Sequence, residues 1–175
     1  MSVQRGVAQP IGGDFESRKV DILFVNHQTL LQRWSDHYSF GMGYRLGVGG
    51  FSDKNIAYLI SVPTKIRYAY PIEKSGWSLL TEGGLSVQVL HLVTDASTDN
   101  DKNQTDFRWK SSLDAVISAA FLRIDGDLDY TLGFEYSTKL IGAKNWRNFN
   151  GKDIATIKAP TGLAAVYFAI GHKFD

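Results

Sequence analysis

The chain has 175 residues, a formal net charge of +1 and no cysteine. This length allows one domain with a substantial core, and the lack of cysteine excludes disulfide frameworks and cysteine-based metal sites. The balance of 19 basic and 18 acidic residues gives no electrostatic reason to expect a nucleic-acid partner, and no stretch approaches the roughly 18 apolar residues that a membrane-spanning helix needs.

The N-terminal residues 1–19 carry no apolar core of a secretory signal peptide. If the protein is exported, we therefore expect the numbering to describe a mature form from which a signal peptide has been removed. The pattern of residues 1–19 leaves three interpretations open: an extra strand, a plug inside a barrel or a disordered lead. No second domain is indicated, so residues 1–175 are expected to form a single domain.

Seven segments alternate between large apolar and small or polar residues with a period of two, which predicts β-strands. The clearest runs from Leu128 to Leu140, where one face carries bulky apolar side chains and the other carries polar side chains and glycine. A helix would scatter these two sets, whereas a strand separates them. In chain order the segments are Val20–Leu31, Tyr38–Gly50, Ile56–Tyr70, Trp77–Val93, Phe107–Phe121, Leu128–Leu140 and Gly162–Phe174.

The breaks between the predicted strands alternate in length over the second half of the chain. Residues 73–76 and 125–127 are short and turn-like, whereas residues 94–106 and 142–160 are long. Transmembrane barrels alternate in this way between short periplasmic turns and longer outside loops. This arrangement places the C-terminus in the periplasm and requires an eighth strand before Val20. Ser2–Gln9 is the candidate, and Asp153–Ala159 is an alternative.

Alternation alone does not say which face of a barrel points inward, because a soluble lipocalin-like barrel alternates as well. Here the polar face is rich in Gly, Ala and Ser with isolated charges, which suits a narrow lumen where side chains converge. The apolar face carries bulky residues, which need unrestricted room outside. Aromatic residues also lie near strand ends, as in the girdles of membrane barrels. They are Tyr38, Tyr68, Tyr70, Trp77, Trp109 and Phe174.

From about Val20 to Phe174 the chain resembles the small eight-stranded bacterial outer-membrane barrels. The segment Val166–Phe174 looks like their C-terminal insertion signal, an alternating strand that ends near an aromatic, with Phe168, Ile170 and Phe174 on one face. The resemblance implies an all-β, antiparallel up-and-down transmembrane β-barrel with eight strands. It also implies a bacterial outer-membrane location, with outer-membrane lipid and lipopolysaccharide as partners.

Charged residues on the polar face are the first candidate site. We expect them to form a network of ion pairs that fills a closed lumen, because an unpaired buried charge costs several kcal/mol and an eight-stranded barrel is only wide enough for its own side chains. The alternative is a narrow channel whose charges select ions. The residues are Asp21, Arg45, Lys65, Arg67, Glu82, Arg108, Lys110, Asp114, Asp129, Glu135 and Lys139.

His37 and Ser39 share one strand face, close enough for a base to activate a hydroxyl. The pair resembles a fragment of the motif of outer-membrane lipid A deacylases. The match ends at Phe40, and no oriented acidic partner is found. We interpret the two residues as ordinary polar residues near a turn and assign no catalytic residue. A lipid A-modifying enzyme remains an alternative.

The second long loop contains basic and aromatic residues that could contact lipopolysaccharide phosphates or a host surface. They are Lys144, Trp146, Arg147, Phe149 and Lys152. The leading prediction is a non-enzymatic outer-membrane barrel with a structural or surface-interaction role through its longer loops and with a possible surface ligand or protein. Neither a cofactor nor a metal is expected, because His27, His91 and His172 lie in separate strands without ligand spacing. A soluble ligand-binding barrel is the last alternative.

Overall fold

The structure, a computed structural model, describes residues 2–11, 23–49, 56–95, 105–148, 153–158 and 161–172. These residues form β-strands joined by turns, and no helix among them is long and apolar enough to cross a membrane. In chain order the strands are β1 (Ser2–Ile11), β2 (Leu23–Arg33), β3 (Tyr38–Gly49), β4 (Ile56–Ile72), β5 (Trp77–Asp95), β6 (Thr105–Asp125), β7 (Leu128–Gly142), β8 (Asn145–Asn148), β9 (Asp153–Lys158) and β10 (Gly162–His172).

Eight of these strands close into one antiparallel barrel. The order β5-β4-β3-β2-β1-β10-β7-β6 is completed by pairing of β5 with β6, so no edge remains among the eight strands. Closure matters in lipid because each backbone N–H and C=O must find a partner within the protein. The prediction of an eight-stranded, up-and-down antiparallel barrel is confirmed.

The two ends of the barrel differ in their connections. Three short turns, at residues 34–37, 73–76 and 126–127, join consecutive strands at what we call the turn end. The longer connections, between β1 and β2, β3 and β4, β5 and β6, and β7 and β10, lie at the opposite loop end. Barrels of the outer membrane place short turns in the periplasm and longer loops outside, and the two ends of this barrel differ in the same way.

The bulky apolar side chains point outward. The burial pattern of β4 alternates strictly between exposed and buried from Ile56 to Pro63, and outward residues such as Phe24 and Ile117 are 57% and 62% exposed. Serines and charged residues on the same strands are buried inside. The alternative of a soluble barrel with an inward apolar face is therefore wrong, since that fold would bury these large side chains.

Two segments differ in detail from the strand limits expected above. Ser2–Ile11 forms β1 and pairs with both β10 and β2, so this segment supplies the eighth barrel strand. The long break at residues 142–160 contains a short hairpin, β8–β9. Its strand β8 pairs with β6 at Arg108 and Trp109. Of the candidate strand Asp153–Ala159, the described residues Asp153–Lys158 thus form part of a hairpin appended to the barrel and not a wall strand.

Apolar clusters occupy both ends of the lumen. At the loop end the cluster contains Ala8, Leu23, Ala57, Leu59, Leu90 and Leu163. At the turn end it contains Leu80, Ala120, Leu122, Tyr167 and Ala169. The Tyr167 ring lies over Gly133 of the neighbouring strand β7, where a Cβ atom would lie 2.8 Å from the ring. The lumen is therefore packed at its ends.

The lipid-facing surface can be tested by placing a charge on it. We expect Ile117→Arg, in the middle of β6, to lower the free energy of unfolding in lipid vesicles by about 2–4 kcal/mol, the cost of Arg near the bilayer midplane. Denaturant titration of the reconstituted protein measures this change. Glu73→Arg, in an exposed turn, is the control and should change stability by less than about 0.5 kcal/mol. Equal effects of the two substitutions would contradict a lipid-facing surface.

Candidate functional site

The strand alternation brings charged residues from four strands into the middle of the lumen. We call Arg45, Lys65, Arg67, Glu82 and Glu135 the central ion network. They lie on β3, β4, β5 and β7, and all five are buried. Each occupies an inward position of its strand because alternate residues point to opposite faces. Beside Arg45, for example, Tyr44 and Leu46 are exposed on the outward surface.

Glu135 joins walls that face each other across the barrel. One carboxylate oxygen accepts a hydrogen bond from the Arg45 guanidinium and the other accepts one from Lys65 Nζ. Arg45 on β3 and Glu135 on β7 are separated by three strands in either direction around the wall. Their ion pair therefore spans the lumen, and it blocks a straight water-filled path along the axis.

Glu82 accepts the remaining hydrogen bonds of the network. Its Oε1 accepts from Arg67 Nε at 2.7 Å, and its Oε2 accepts from Lys65 Nζ at 3.2 Å. The Ser118 hydroxyl donates to the same Oε2 at 2.7 Å. Lys65 thus bridges the two carboxylates, and each carboxylate has at least two cationic or hydroxyl donors, as buried carboxylates require.

The network contains three cations and two carboxylates. The buried His27 lies near it on β2 and forms a 2.9 Å hydrogen bond between its Nε2 and the Thr29 hydroxyl. A small cavity of about 20 Å³ adjoins His27, Arg45, Glu135 and Tyr167. A cavity of that size has room for about one water molecule, so the centre of the barrel is filled by side chains.

A second polar group lies between the network and the loop end. Asp114 is fully buried on β6 and accepts a hydrogen bond from the Gln88 side-chain amide of β5. Lys110, two inward positions away from Asp114, is 1% exposed. Lys139 is partly buried and donates to the backbone oxygen of Ala143 at 2.9 Å.

The remaining predicted lumen charges lie apart from these groups. Asp129 is half-buried at the turn end, beside Gly171. Asp21 and the side chain of Arg108 lie outside the described part of the chain. Three members of the lumen groups, His27, Gln88 and Ser118, were not among the predicted lumen charges, although alternation placed all three on the polar face.

His37 and Ser39 do not form a catalytic pair in the structure. His37 is exposed in the turn between β2 and β3, where its Nδ1 lies 3.2 Å from the backbone oxygen of Ala69. The nearby Asp36 pairs with Arg33 at 3.2 Å instead of orienting the imidazole. Within the described residues no hydrogen bond joins His37 to Ser39, so the geometry does not support activation of the hydroxyl.

The loop-end hairpin positions one basic side chain of the predicted loop site. Arg147 on β8 pairs in register with Trp109 on β6, and its guanidinium lies 5.5 Å from the centre of the indole ring. Lys144 is exposed just before β8. Phe149, Lys152 and the side chain of Trp146 lie outside the described residues. The described part of the site is therefore Lys144 and Arg147.

The residues of the predicted insertion signal lie on β10. Phe168 and Ile170 point outward and are about half exposed, whereas Phe174 lies outside the described residues. In the described ranges no group of three or more His, Cys, Asp or Glu residues could hold a metal ion.

Comparison with known proteins gives similarity of fold without similarity of sequence. No protein-family model matches the chain, and no curated protein sequence matches it. The crystal structure of Neisserial surface protein A is similar with a TM-score of 0.67 and 12% identity, and the match covers 99% of this chain and 96% of that chain. A major outer membrane protein from Thermus thermophilus gives a TM-score of 0.64 and 6% identity over 99% of this chain and 100% of that chain.

These matches and the outward apolar surface define the class of the protein. It is a transmembrane β-barrel with the fold of the bacterial outer-membrane barrels. At this level the prediction of the fold class is confirmed, and the fold is one that the predicted outer-membrane location requires.

The central ion network gives a prediction about stability. We expect Glu135→Leu to lower the free energy of unfolding by about 3–5 kcal/mol, because the substitution leaves Arg45 and Lys65 short of a buried counter-charge. Asp129→Asn is the control on the same strand, since Asp129 forms no ion pair among the described residues. Urea titration of both variants in vesicles measures the difference. A loss from Glu135→Leu no larger than that from Asp129→Asn would show that the network does not hold the lumen together.

Proposed function

We propose that the protein is a closed outer-membrane barrel that acts through the surface at its loop end, where the β8–β9 hairpin binds phosphate groups of lipopolysaccharide. The observation that carries the proposal is the pairing of β8 with β6 beyond the point where β7 leaves the wall. This pairing holds Arg147 beside Trp109 at the loop end of β6.

Because the lumen is closed, we place the proposed function at the loop end. The ion pair between Arg45 and Glu135 crosses the lumen, and apolar clusters pack its two ends. A solute path would require these side chains to move together. The proposed role therefore uses the outside of the barrel, and the narrow channel has no specific observation in its favour.

The position of Arg147 suits the binding of a lipid headgroup that carries phosphate. Trp109 points outward near the loop end of β6, at the level where aromatic residues of barrels meet lipid headgroups. Arg147 lies over that ring. An arginine can bind phosphate oxygens in pairs through the N–H donors of its planar guanidinium. Lys144 adds a second positive charge immediately before β8 begins.

The proposal is tested with lipid A as the probe. Folded protein in vesicles is titrated with lipid A. When Lys144 and Arg147 are both changed to Glu, we expect the affinity for lipid A to fall about tenfold, or by about 1.4 kcal/mol. The loss follows from replacing two cations by two anions beside phosphate. Fluorescence titration with labelled lipid A measures the affinity, and added salt should reduce the difference between the proteins.

Arg123→Glu provides the matched control. Arg123 lies 5.8 Å from the ring centre of Trp77 at the turn end and so reproduces the geometry of Arg147 over Trp109 at the other end of the barrel. We expect this variant to bind lipid A as the unchanged protein does. An equal loss for Arg123→Glu, or no loss for the loop-end variant, would contradict the proposal.

A further inference from the structure

The outward surface of β1 and β2 carries a strip of polar residues at the depth where the other strands are apolar. We call Arg5, Asn26 and Gln28 the outward polar strip. Arg5 and Asn26 are exposed, and Gln28 is half-buried. Arg5 and Asn26 are direct partners in the pairing of β1 with β2, so their side chains leave the wall next to each other.

The strip lies in the middle of the apolar belt. Arg5 pairs on its other side with Phe168 of β10, and Asn26 pairs with Leu46 of β3. Phe168 and Leu46 are exposed apolar residues on the outward surface. Apolar neighbours on both sides mean that Arg5 and Asn26 face lipid in a single isolated barrel.

Lipid is an unfavourable environment for these side chains. None of the three forms a side-chain hydrogen bond or ion pair within the described part of the chain. An arginine at the bilayer midplane of a barrel is destabilising, and its five N–H donors need acceptors. The strip therefore points to a partner that supplies hydrogen-bond acceptors inside the membrane.

The surface beside the strip is concave. A groove of about 820 Å³ runs from Arg5 and Asn26 across β3 and β4, and its walls are mostly apolar, with Phe24, Leu46 and Tyr58 among them. A groove with a polar margin can receive side chains that protrude from the wall of another barrel.

We propose that this face is the contact between two copies of the chain, related by a two-fold axis parallel to the membrane normal. Such an axis keeps every residue at its own depth, so Arg5 of one copy faces the Asn26 region of the other, with Gln28 one outward position further along β2. The guanidinium supplies only donors, and the amide oxygens of Asn26 and Gln28 are acceptors. The strip is therefore complementary to itself, as a two-fold contact requires.

Cross-linking tests the contact directly, because the chain has no cysteine of its own. Val7→Cys places one thiol beside Arg5 on the outward face of β1, where Val7 is 41% exposed. Ile117→Cys on β6 is the matched control, since Ile117 is 62% exposed to lipid on a strand that β10 and β7 separate from β1. After oxidation in vesicles at low protein density, we expect a disulfide-linked dimer from Val7→Cys at several times the yield from Ile117→Cys.

The role of the strip is tested by adding Arg5→Leu to Val7→Cys. Leucine suits a lipid-facing position, so the barrel should still fold and show the boiling-dependent gel shift of a closed barrel. Association should weaken about tenfold, which reduces the dimer yield at a given protein density. Two results would overturn the proposal: a yield from Val7→Cys no higher than from Ile117→Cys, or a yield that Arg5→Leu leaves unchanged.

Native mass spectrometry of the detergent-solubilised protein separates a second copy from a bound lipid. We expect a dimer that Arg5→Leu dissociates. A monomer that retains an anionic lipid, and loses it on Arg5→Leu, would overturn the dimer in favour of a lipid site.

Discussion

The need to satisfy every backbone hydrogen bond inside lipid is the constraint on which the rest of the structure depends. A sheet meets it by closing on itself, and β5 pairs with β6 to complete that closure. Closure then fixes the direction of every side chain, because alternate residues of each strand point to the lipid or to the lumen. Bulky residues such as Phe134 and Ile117 take the unrestricted outside, and glycine, serine and isolated charges take the narrow inside. The polar interior and apolar surface are consequences of one requirement.

The same constraint explains why the lumen is closed. Eight strands enclose a space that side chains fill, and the charges placed there have little water to solvate them. They therefore pair, and Glu135 reaches Arg45 across the interior while Lys65 joins it to Glu82. The gain lies in specificity more than in stability, because a buried ion pair often contributes little beyond an apolar substitute of the same size. With the interior occupied, the surfaces left for function are the loop end and the lipid-facing wall.

Much of this architecture could be read from the sequence, for a physical reason. A period of two assigns each residue to a face, and residue size then tells inside from outside. The pairing of Arg45 with Glu135 could not be predicted, because it depends on the register of several strands, including the irregularity at Leu113 and Asp114. Strand β8 was missed because 4 residues show too little alternation, and β9 was expected only as an alternative wall strand. The weak pattern of β1 has a specific cause: Arg5 and Gln9 occupy outward positions where apolar residues would have marked a strand. One of the residues that obscured β1, Arg5, thus belongs to the surface proposed for dimer contact.

The central claim is that the apolar face of a closed barrel meets lipid. Gel mobility of detergent-refolded protein, loaded cold with and without boiling, tests it most directly, since closed membrane barrels resist detergent unfolding until they are heated. We predict a clear shift in mobility that depends on boiling. Identical mobility before and after boiling, together with good solubility in buffer without detergent, would contradict the claim and would place the apolar side chains inside the barrel.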